Sequence, residues 1–231
     1  RDSVNRRTRT APQRTKRKKR IIMKPEVKII TCPKCGSKQQ FTMYPSINAG
    51  NHDLREKFLD GHLTTLVCDE CGFSGVVEYP MLYHDLDEKF SLFFKPDSDE
   101  RVAKLPNVLP AHLVKDIRMR LVHTQDDLRE KIFIFRDKLD DRLVEVVKDS
   151  ILREMEAKKE KILPDALYYA EDRFACEGRS LIFVPRKGEE YLDPIKIPFT
   201  TYENIGKMMS GIWEREVEGY AVVDNEWVKT V

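Results

Sequence analysis

Apolar residues at every second position predict β-strands in the first half of the chain. Val27, Ile29 and Thr31 show this spacing, which is typical of a strand with one buried face. Similar segments predict strands over residues 39–44, 63–67, 75–83 and 89–94. Residues 45–50, between two of these strands, are predicted to form a loop. The first half is therefore predicted to be mainly an antiparallel sheet.

Capping residues and apolar spacings of three and four predict the helices. Residues 51–59 form a predicted helical insert with Asn51 as its cap. After Pro110 the chain is predicted to be helical. Apolar residues there recur at helical spacing in two runs, Leu128, Ile132, Phe135 and Leu139, then Leu143, Val147 and Ile151. The second of these helices is predicted to start at Asp140–Asp141 and to end in a charged, solvated segment over residues 154–161.

The last part of the chain is predicted to form a hairpin followed by a helix. Residues 179–185 and 191–199 read as two strands around Lys187 and Gly188. Thr200 and Glu203 have the three-residue spacing of a capping box. The helix that they open is predicted to bury Tyr202, Ile205, Met209 and Trp213. Strands and helices in separate runs predict an α+β fold.

Charge is distributed unevenly between the N-terminal segment and the remainder. Residues 1–22 contain ten Lys and Arg and one acidic residue, so within a net charge of +2 they carry +9 and the remaining chain carries −7. This segment has no apolar periodicity, and we expect it to be disordered when alone. Two interpretations stay open: it precedes a native start at Met23, or it is a basic arm that binds nucleic acid.

Two C-x-x-C-G motifs give the strongest chemical signal. They place Cys32 and Cys35, and then Cys68 and Cys71, in tight turns that each present two sulfur atoms. Two such turns are predicted to bind one Zn²⁺ in a tetrahedral shell of four thiolates, which leaves no position for water and makes the metal structural. The alternative, a redox dithiol, is expected as a single motif that opens a helix. Lys34 and Lys38 are candidates to offset the negative charge of the sulfurs.

These motifs occur together with two further segments. They are Tyr-Pro-Met-Leu-Tyr-His-Asp at residues 79–85, and Glu-Lys-Ile at 130–132 followed by Leu-Asp-Asp-Arg at 139–142. In this combination, over about residues 28–150, the chain resembles CpXC-domain proteins of bacteria and archaea, which are named for their paired knuckles. The resemblance implies a zinc-bearing fold and no particular activity.

No nucleotide-binding, zinc-protease or serine-hydrolase motif is present in the sequence. His84 and Asp85 are adjacent, so on a strand they point to opposite faces and do not form a dyad. The other histidines, His52, His62, His112 and His123, are isolated from one another in the sequence. We therefore predict no catalytic residue, although an unrecognised hydrolase stays open as an alternative.

The second predicted helix carries acidic residues at four-residue steps. Asp141, Glu145 and Asp149 share one face, and the interleaved Arg142 and Lys148 predict that this face is solvated rather than metal-binding. Glu156 and Lys158 match a nuclease-like E-x-K pattern by coincidence, since that pattern requires a strand. Cys176, the fifth cysteine, is predicted to be a small buried apolar residue.

We predict four segments: a basic tail (1–22), a zinc-ribbon-like sheet domain with a helical insert (23–105), a helical segment (106–163) and a hairpin–helix unit (164–231). The leading functional hypothesis is a noncatalytic binding or regulatory module with a protein partner. The alternative is a nucleic-acid-binding protein that uses the tail, with Phe41, Tyr44 and Phe73 as stacking candidates. Cysteine usage indicates a reducing compartment, the cytoplasm, and no apolar segment predicts a membrane role.

Overall fold

The computed structural model describes residues 24–103, 117–171, 179–209, 211 and 219–230. Residues 1–22 and Met23, together with His112, Cys176 and Trp213, lie outside these ranges. The strands are β1 (Glu26–Thr31), β2 (Lys38–Met43), β3 (Ser46–Asn48), β4 (Thr65–Val67), β5 (Ser74–Val76), β6 (Met81–Asp85), β7 (Phe90–Phe94), β8 (Val102–Ala103), β9 (Arg118–Val122), β10 (Ala166–Ala170), β11 (Ser180–Lys187), β12 (Glu190–Tyr191), β13 (Ile195–Pro198) and β14 (Tyr220–Ala221). The helices are α1 (His52–Leu59), α2 (Gln125–Arg136), α3 (Asp141–Ala157), α4 (Phe199–Met208) and α5 (Asn225–Val228).

These elements agree with the predicted α+β class, but the strands of the first half do not form one sheet. β1 with β2, and β4 with β5, are separate antiparallel hairpins. A six-stranded sheet has the order β3-β6-β7-β9-β14-β8, with β3–β6, β7–β9 and β9–β14 parallel. A further sheet contains β10, β11 and β12, with β13 also paired to β11.

The predicted strand over residues 75–83 is divided between two of these sheets. β5 ends at Val76, and β6 begins at Met81, directly after Pro80. Because proline has no backbone N–H and is confined to strand edges and starts, it separates the two strands. β6 then pairs along its whole length with β7, from Met81 opposite Phe94 to Asp85 opposite Phe90.

Five strands were not predicted: β3, β8, β9, β10 and β14. β8 and β14 have only two residues each, too few to show a periodicity. The predicted loop over residues 45–50 contains β3, which pairs in parallel with β6 and is too short to show a periodicity. The prediction of helix after Pro110 is wrong for β9, where Arg118 and Arg120 interrupt the apolar pattern of a central strand. β10, also unpredicted, pairs with β11.

Most predicted helices are present with the expected ends. Asn51 caps α1 by accepting a hydrogen bond from the backbone N–H of Leu54 at 3.4 Å, and Asp140 caps α3 through Arg142 N at 2.9 Å. The predicted Thr200–Glu203 capping box is wrong. α4 begins at Phe199 after Pro198, without a side-chain cap, so Thr200 already lies inside the helix.

The main core lies where α2 is packed between the two larger sheets. Phe90 of β7 contacts Phe135 of α2, with 5.0 Å between ring centroids, and stacks on Tyr83 at 5.9 Å. The predicted apolar face of α2, including Leu128 and Ile132, is completely buried. The predicted hairpin of the last part is also present as β11 to β13. Tyr202 and Ile205 of α4, and Met209 directly after it, are half-buried against α3.

Candidate metal centre

Each C-x-x-C-G motif forms a hydrogen-bonded turn between the strands of one hairpin. In the first, the N–H of Cys32 donates to Ser37 O at 2.8 Å, and the N–H of Gly36 donates to Cys32 O at 2.9 Å. The second turn repeats both bonds at the same lengths, from Cys68 N to Phe73 O and from Gly72 N to Cys68 O. Both glycines have positive φ, +75° and +65°, a conformation that residues with a Cβ rarely adopt.

The two turns bring four sulfur atoms together. The Sγ atoms of Cys32, Cys35, Cys68 and Cys71 all lie within 4.8 Å of one another. The Sγ–Sγ distance is 3.7 Å between Cys32 and Cys71 and 3.6 Å between Cys35 and Cys68. A tetrahedral site with Zn–S bonds of about 2.3 Å has edges of about 3.8 Å, whereas a disulfide bond is about 2.05 Å long. The four cysteines therefore lie close enough to bind one metal ion, and their spacing is compatible with zinc.

Two polar side chains contact the sulfurs, and neither was predicted. Ser37 Oγ lies 3.1 Å from Cys35 Sγ and 3.2 Å from Cys68 Sγ. Gln39 Nε2 donates to Ser37 Oγ at 3.1 Å and approaches Cys68 Sγ at 3.6 Å. Lys34 and Lys38, which were expected to offset the sulfur charge, are exposed. The signal for Gln39 lies in β2: it is a polar residue at a buried position of an alternating strand.

The thiols influence one another's protonation. Hydrogen bonding with Ser37 lowers the pKa of Cys68 to about 6 and also lowers the pKa of Cys35. The backbone hydrogen bond with Phe73 lowers the pKa of Cys71, but burial and the neighbouring sulfurs outweigh it and raise that pKa to about 12. Four adjacent thiols cannot all lose their protons without a compensating cation, and a bound metal supplies that charge.

His84 and Asp85 have separate partners on β6. His84 is 1% exposed, and its Nε2 lies 3.0 Å from the amide nitrogen of Asn48. Because that amide nitrogen can only donate, His84 Nε2 is the acceptor, and the ring is neutral. Burial accordingly lowers the pKa of His84. Asp85 instead accepts backbone hydrogen bonds from Asp87 and Glu88 at 3.1 and 3.0 Å, as an aspartate in a turn does.

The predicted solvated acidic face of α3 is wrong for two of its three residues. Asp141 is 0% exposed and Glu145 is 2% exposed. Asp149 is partly exposed and pairs with Arg153. Asp141 accepts two hydrogen bonds from Arg120, at 2.7 and 2.9 Å. Burial alone would raise the pKa of Asp141, but the nearby cations outweigh burial and hold it well below its usual range.

Buried lysines link Asp141 to two further carboxylates. Lys131 Nζ lies 3.3 Å from Asp141 Oδ2 and 2.9 Å from Glu145 Oε1. Lys148 Nζ contacts Glu145 and Glu130 at 2.9 and 3.0 Å. Three cations and three anions therefore form a balanced buried cluster. Here "ion cluster" denotes Arg120, Glu130, Lys131, Asp141, Glu145 and Lys148.

The other candidate residues are dispersed. His52 and His62 are exposed, whereas both ring nitrogens of His123 lie within 2.9 Å of backbone carbonyls. Phe41 is buried against Tyr79, with ring centroids 6.4 Å apart. Phe41 is therefore not available to stack on a nucleic-acid base, in contrast to the prediction; Tyr44 and Phe73 are half-buried. Glu156 and Lys158 lie at the exposed end of α3.

Comparison with known proteins connects this geometry with a family. A family model described as "CpXC protein" matches residues 30–148, about half of the chain. The match includes both cysteine pairs, α2 and about the first half of α3. The chain has no significant match to a curated protein or to a solved structure. Within the described residues, no helix is long and apolar enough to cross a membrane.

Proposed function

The chain belongs to the CpXC family, and on this premise we propose that Cys32, Cys35, Cys68 and Cys71 bind one structural Zn²⁺. The observation that carries the proposal is the group of four Sγ atoms, all within 4.8 Å of one another. Four thiolates fill a tetrahedral shell, so the metal has no open position for substrate or water. Its role is then to hold the two hairpins together, with Ser37 and Gln39 as donors to the sulfurs.

Metal analysis of the purified protein tests this proposal. We expect about one zinc per chain and an X-ray absorption spectrum with four sulfur neighbours at about 2.3 Å. Protein that is purified anaerobically, folded and free of metal would contradict the proposal. Native disulfide bonds between these cysteines would contradict it as well.

We further propose that the two hairpins act as a noncatalytic module that binds a protein partner. The support is a pair of exposed aliphatic side chains on each hairpin: Val27 and Ile29 on β1, and Val67 and Val76 on β4 and β5. The register places Thr65 opposite Val76 and Val67 opposite Ser74, so Val67 and Val76 share one face. Exposed apolar patches on a rigid scaffold favour protein binding.

Partner capture with matched variants tests the second proposal. We expect Val67→Asp together with Val76→Asp to abolish capture of a specific protein from native lysate. Val102→Asp changes a similarly exposed valine, 56% exposed on β8, and we expect it to leave capture unchanged. Equal capture by both variants would contradict a binding face on the hairpins.

Nucleic-acid binding is a second candidate function because residues 1–22 carry +9. The body of the chain carries −7, and Phe41 is buried, so the tail would supply the affinity. We expect any DNA or RNA binding to weaken steeply with salt and to disappear when residues 1–22 are removed. A chain of residues 23–231 that binds nucleic acid tightly at physiological salt would contradict this candidate and relocate the binding surface.

A further inference from the structure

β1 has one edge that no strand in the described part of the chain covers. It pairs with β2 along its whole length, from Glu26 opposite Met43 to Thr31 opposite Lys38, and together they form a separate two-stranded sheet. Five of the six residues of β1 are exposed. An unpaired edge is a template for a further strand, and a two-stranded hairpin gains stability when a third strand joins it.

A hydrogen bond at the end of the hairpin shows which backbone groups line this edge. Cys32 N donates to Ser37 O at 2.8 Å, so these two residues form a hydrogen-bonded pair that continues the register of β1 and β2. In an antiparallel ladder, hydrogen-bonded pairs alternate with pairs whose N–H and C=O groups point away from the partner strand. The N–H and C=O groups of Thr31, Ile29 and Val27 therefore point away from β2, along the uncovered edge.

The side chains make β1 the aliphatic edge of the hairpin and β2 the polar one. Val27 and Ile29 are 62% and 60% exposed. The residues opposite them in β2 are Thr42 and Gln40, which share their face and are exposed too. Lys38, on the same face of β2, is the residue type that most often protects an edge strand from pairing. A further strand is therefore favoured beside β1 rather than beside β2.

The charges on β1 are complementary to those of a second β1 that runs in the antiparallel direction. The side chains of Glu26 and Lys28 are 54% and 57% exposed. With Val27 opposite Val27, Glu26 of each copy lies opposite Lys28 of the other, in the type of pair that brings side chains closer together. Opposite charges in this position are stabilising. A register centred on Lys28 would place like charges opposite each other, and one centred on Ile29 would give no charge pair.

We propose that this chain forms a dimer in which β1 pairs with β1 of a second copy, antiparallel and centred on Val27. The two Val27 residues exchange backbone hydrogen bonds, and Ile29 N of each copy donates to the carbonyl oxygen of Pro25 of the other. Pro25 has no N–H that needs an acceptor, as suits the start of an edge strand. The aliphatic side chains of Val27 and Ile29 pack against those of the other copy, and one two-fold axis relates the two patches. The contact goes beyond the proposed partner binding, because it does not use Val67 or Val76.

Charge-reversal variants of the full chain test the register. Sedimentation velocity over a concentration series should show a reversible monomer–dimer equilibrium, because one strand pair buries less surface than a standard interface. Glu26→Lys and Lys28→Glu each place like charges opposite one another and should weaken dimerisation about 5- to 30-fold. In an equimolar mixture of the two variants, opposite charges face each other again, and a heterodimer should form with wild-type affinity. Lys38→Glu makes the same charge change on β2 and should have no effect.

Proline variants test the edge itself. Val27→Pro removes an N–H that points away from β2, so the hairpin keeps its own hydrogen bonds while the central bonds of the dimer are lost. We expect Val27→Pro to be monomeric with an unchanged circular dichroism spectrum. Thr42→Pro makes the same change at the opposite residue, on the outer edge of β2, and should still dimerise.

The proposal is overturned if the wild-type chain stays monomeric at all concentrations, or if the mixture of charge-reversal variants associates no better than either variant alone. Dimerisation of folded Val27→Pro with wild-type affinity would overturn it as well, and the mixture carries the test if Val27→Pro does not fold. The protein with Val67→Asp and Val76→Asp separates this contact from partner binding, since it should lose capture of the partner and keep the dimer. Loss of the dimer in that protein would place the contact on the other hairpin instead.

Discussion

The cysteine-bearing hairpins and the layers around α2 are stabilised by different contacts. The hairpins expose four large aliphatic side chains, including Val27 and Val76, which are 62% and 63% exposed. α2 instead buries Leu128, Ile132 and Phe135 completely. A two-stranded hairpin is at best marginally stable in water, and the strands of each of these two bury only one large apolar side chain, Phe41 or Leu66. Their structure therefore depends on the sulfur cluster, whereas the layers around α2 depend on apolar packing.

Loss of one cysteine is the largest effect that this contrast predicts. Structural zinc contributes about 10–16 kcal/mol to folding in small zinc domains. We expect Cys68→Ser to lose the metal and unfold both hairpins while α2 and α3 stay protected in hydrogen exchange. Cys176→Ser, which changes the cysteine outside the two pairs, is the matched control and should keep one zinc per chain. Cooperative unfolding of the whole chain in Cys68→Ser would remove the distinction between the two regions.

The second prediction alters the other region. Lys131→Met leaves an uncompensated buried negative charge beside Asp141 and Glu145, and such losses cost about 3–5 kcal/mol. We expect a lower free energy of unfolding in urea with unchanged zinc content. Lys158→Met changes an exposed lysine at the end of α3 and should alter stability by less than about 0.5 kcal/mol. A metal-free Lys131→Met protein would show that the two regions are coupled.

Acid should weaken the ion cluster in a defined pH range. The pKa of Asp141 in the folded protein lies well below its ordinary value of 3.8. The unfolded chain therefore takes up this proton first, and the stabilisation is present above pH 3.8 and is lost as the pH falls below it. We expect the stability difference between wild type and Asp141→Asn to shrink in that range. A difference that stays constant down to pH 2 would contradict the assignment.

The smallest predicted effect concerns the donors around the sulfurs. Ser37→Ala removes the hydroxyl that contacts Cys35 and Cys68, and second-layer losses of this kind lower metal affinity by about 10- to 100-fold. Competition with a chromophoric chelator measures the change. Ser74→Ala, at an exposed position of β5, is the control. If Ser37→Ala and Ser74→Ala bind the metal equally tightly, the Ser37 hydroxyl does not contribute to metal affinity.

The same contrast explains which features could be predicted from the sequence. The two cysteine turns were predictable because C-x-x-C-G is local: two residues between the thiols and a glycine with positive φ define the turn. α2 and α3 were predictable for the same reason, since their apolar spacing lies within a few turns. The ion cluster was not, because Arg120 reaches Asp141 across 21 positions, and a periodicity does not distinguish a buried charge from a solvated one.

β14 has a consequence for the order in which the chain can fold. It lies between β9 and β8, pairing Ala221 with Arg120 on one side and with Val102 on the other, and Tyr220 OH lies 2.8 Å from Ser91 Oγ in the interior. On the ribosome, β8 and β9 are made about a hundred residues before β14. At about 5–20 residues per second, the edge of β9 stays unpaired for seconds. A nascent chain stalled before residue 220 therefore presents an open strand edge, which is a template for aggregation.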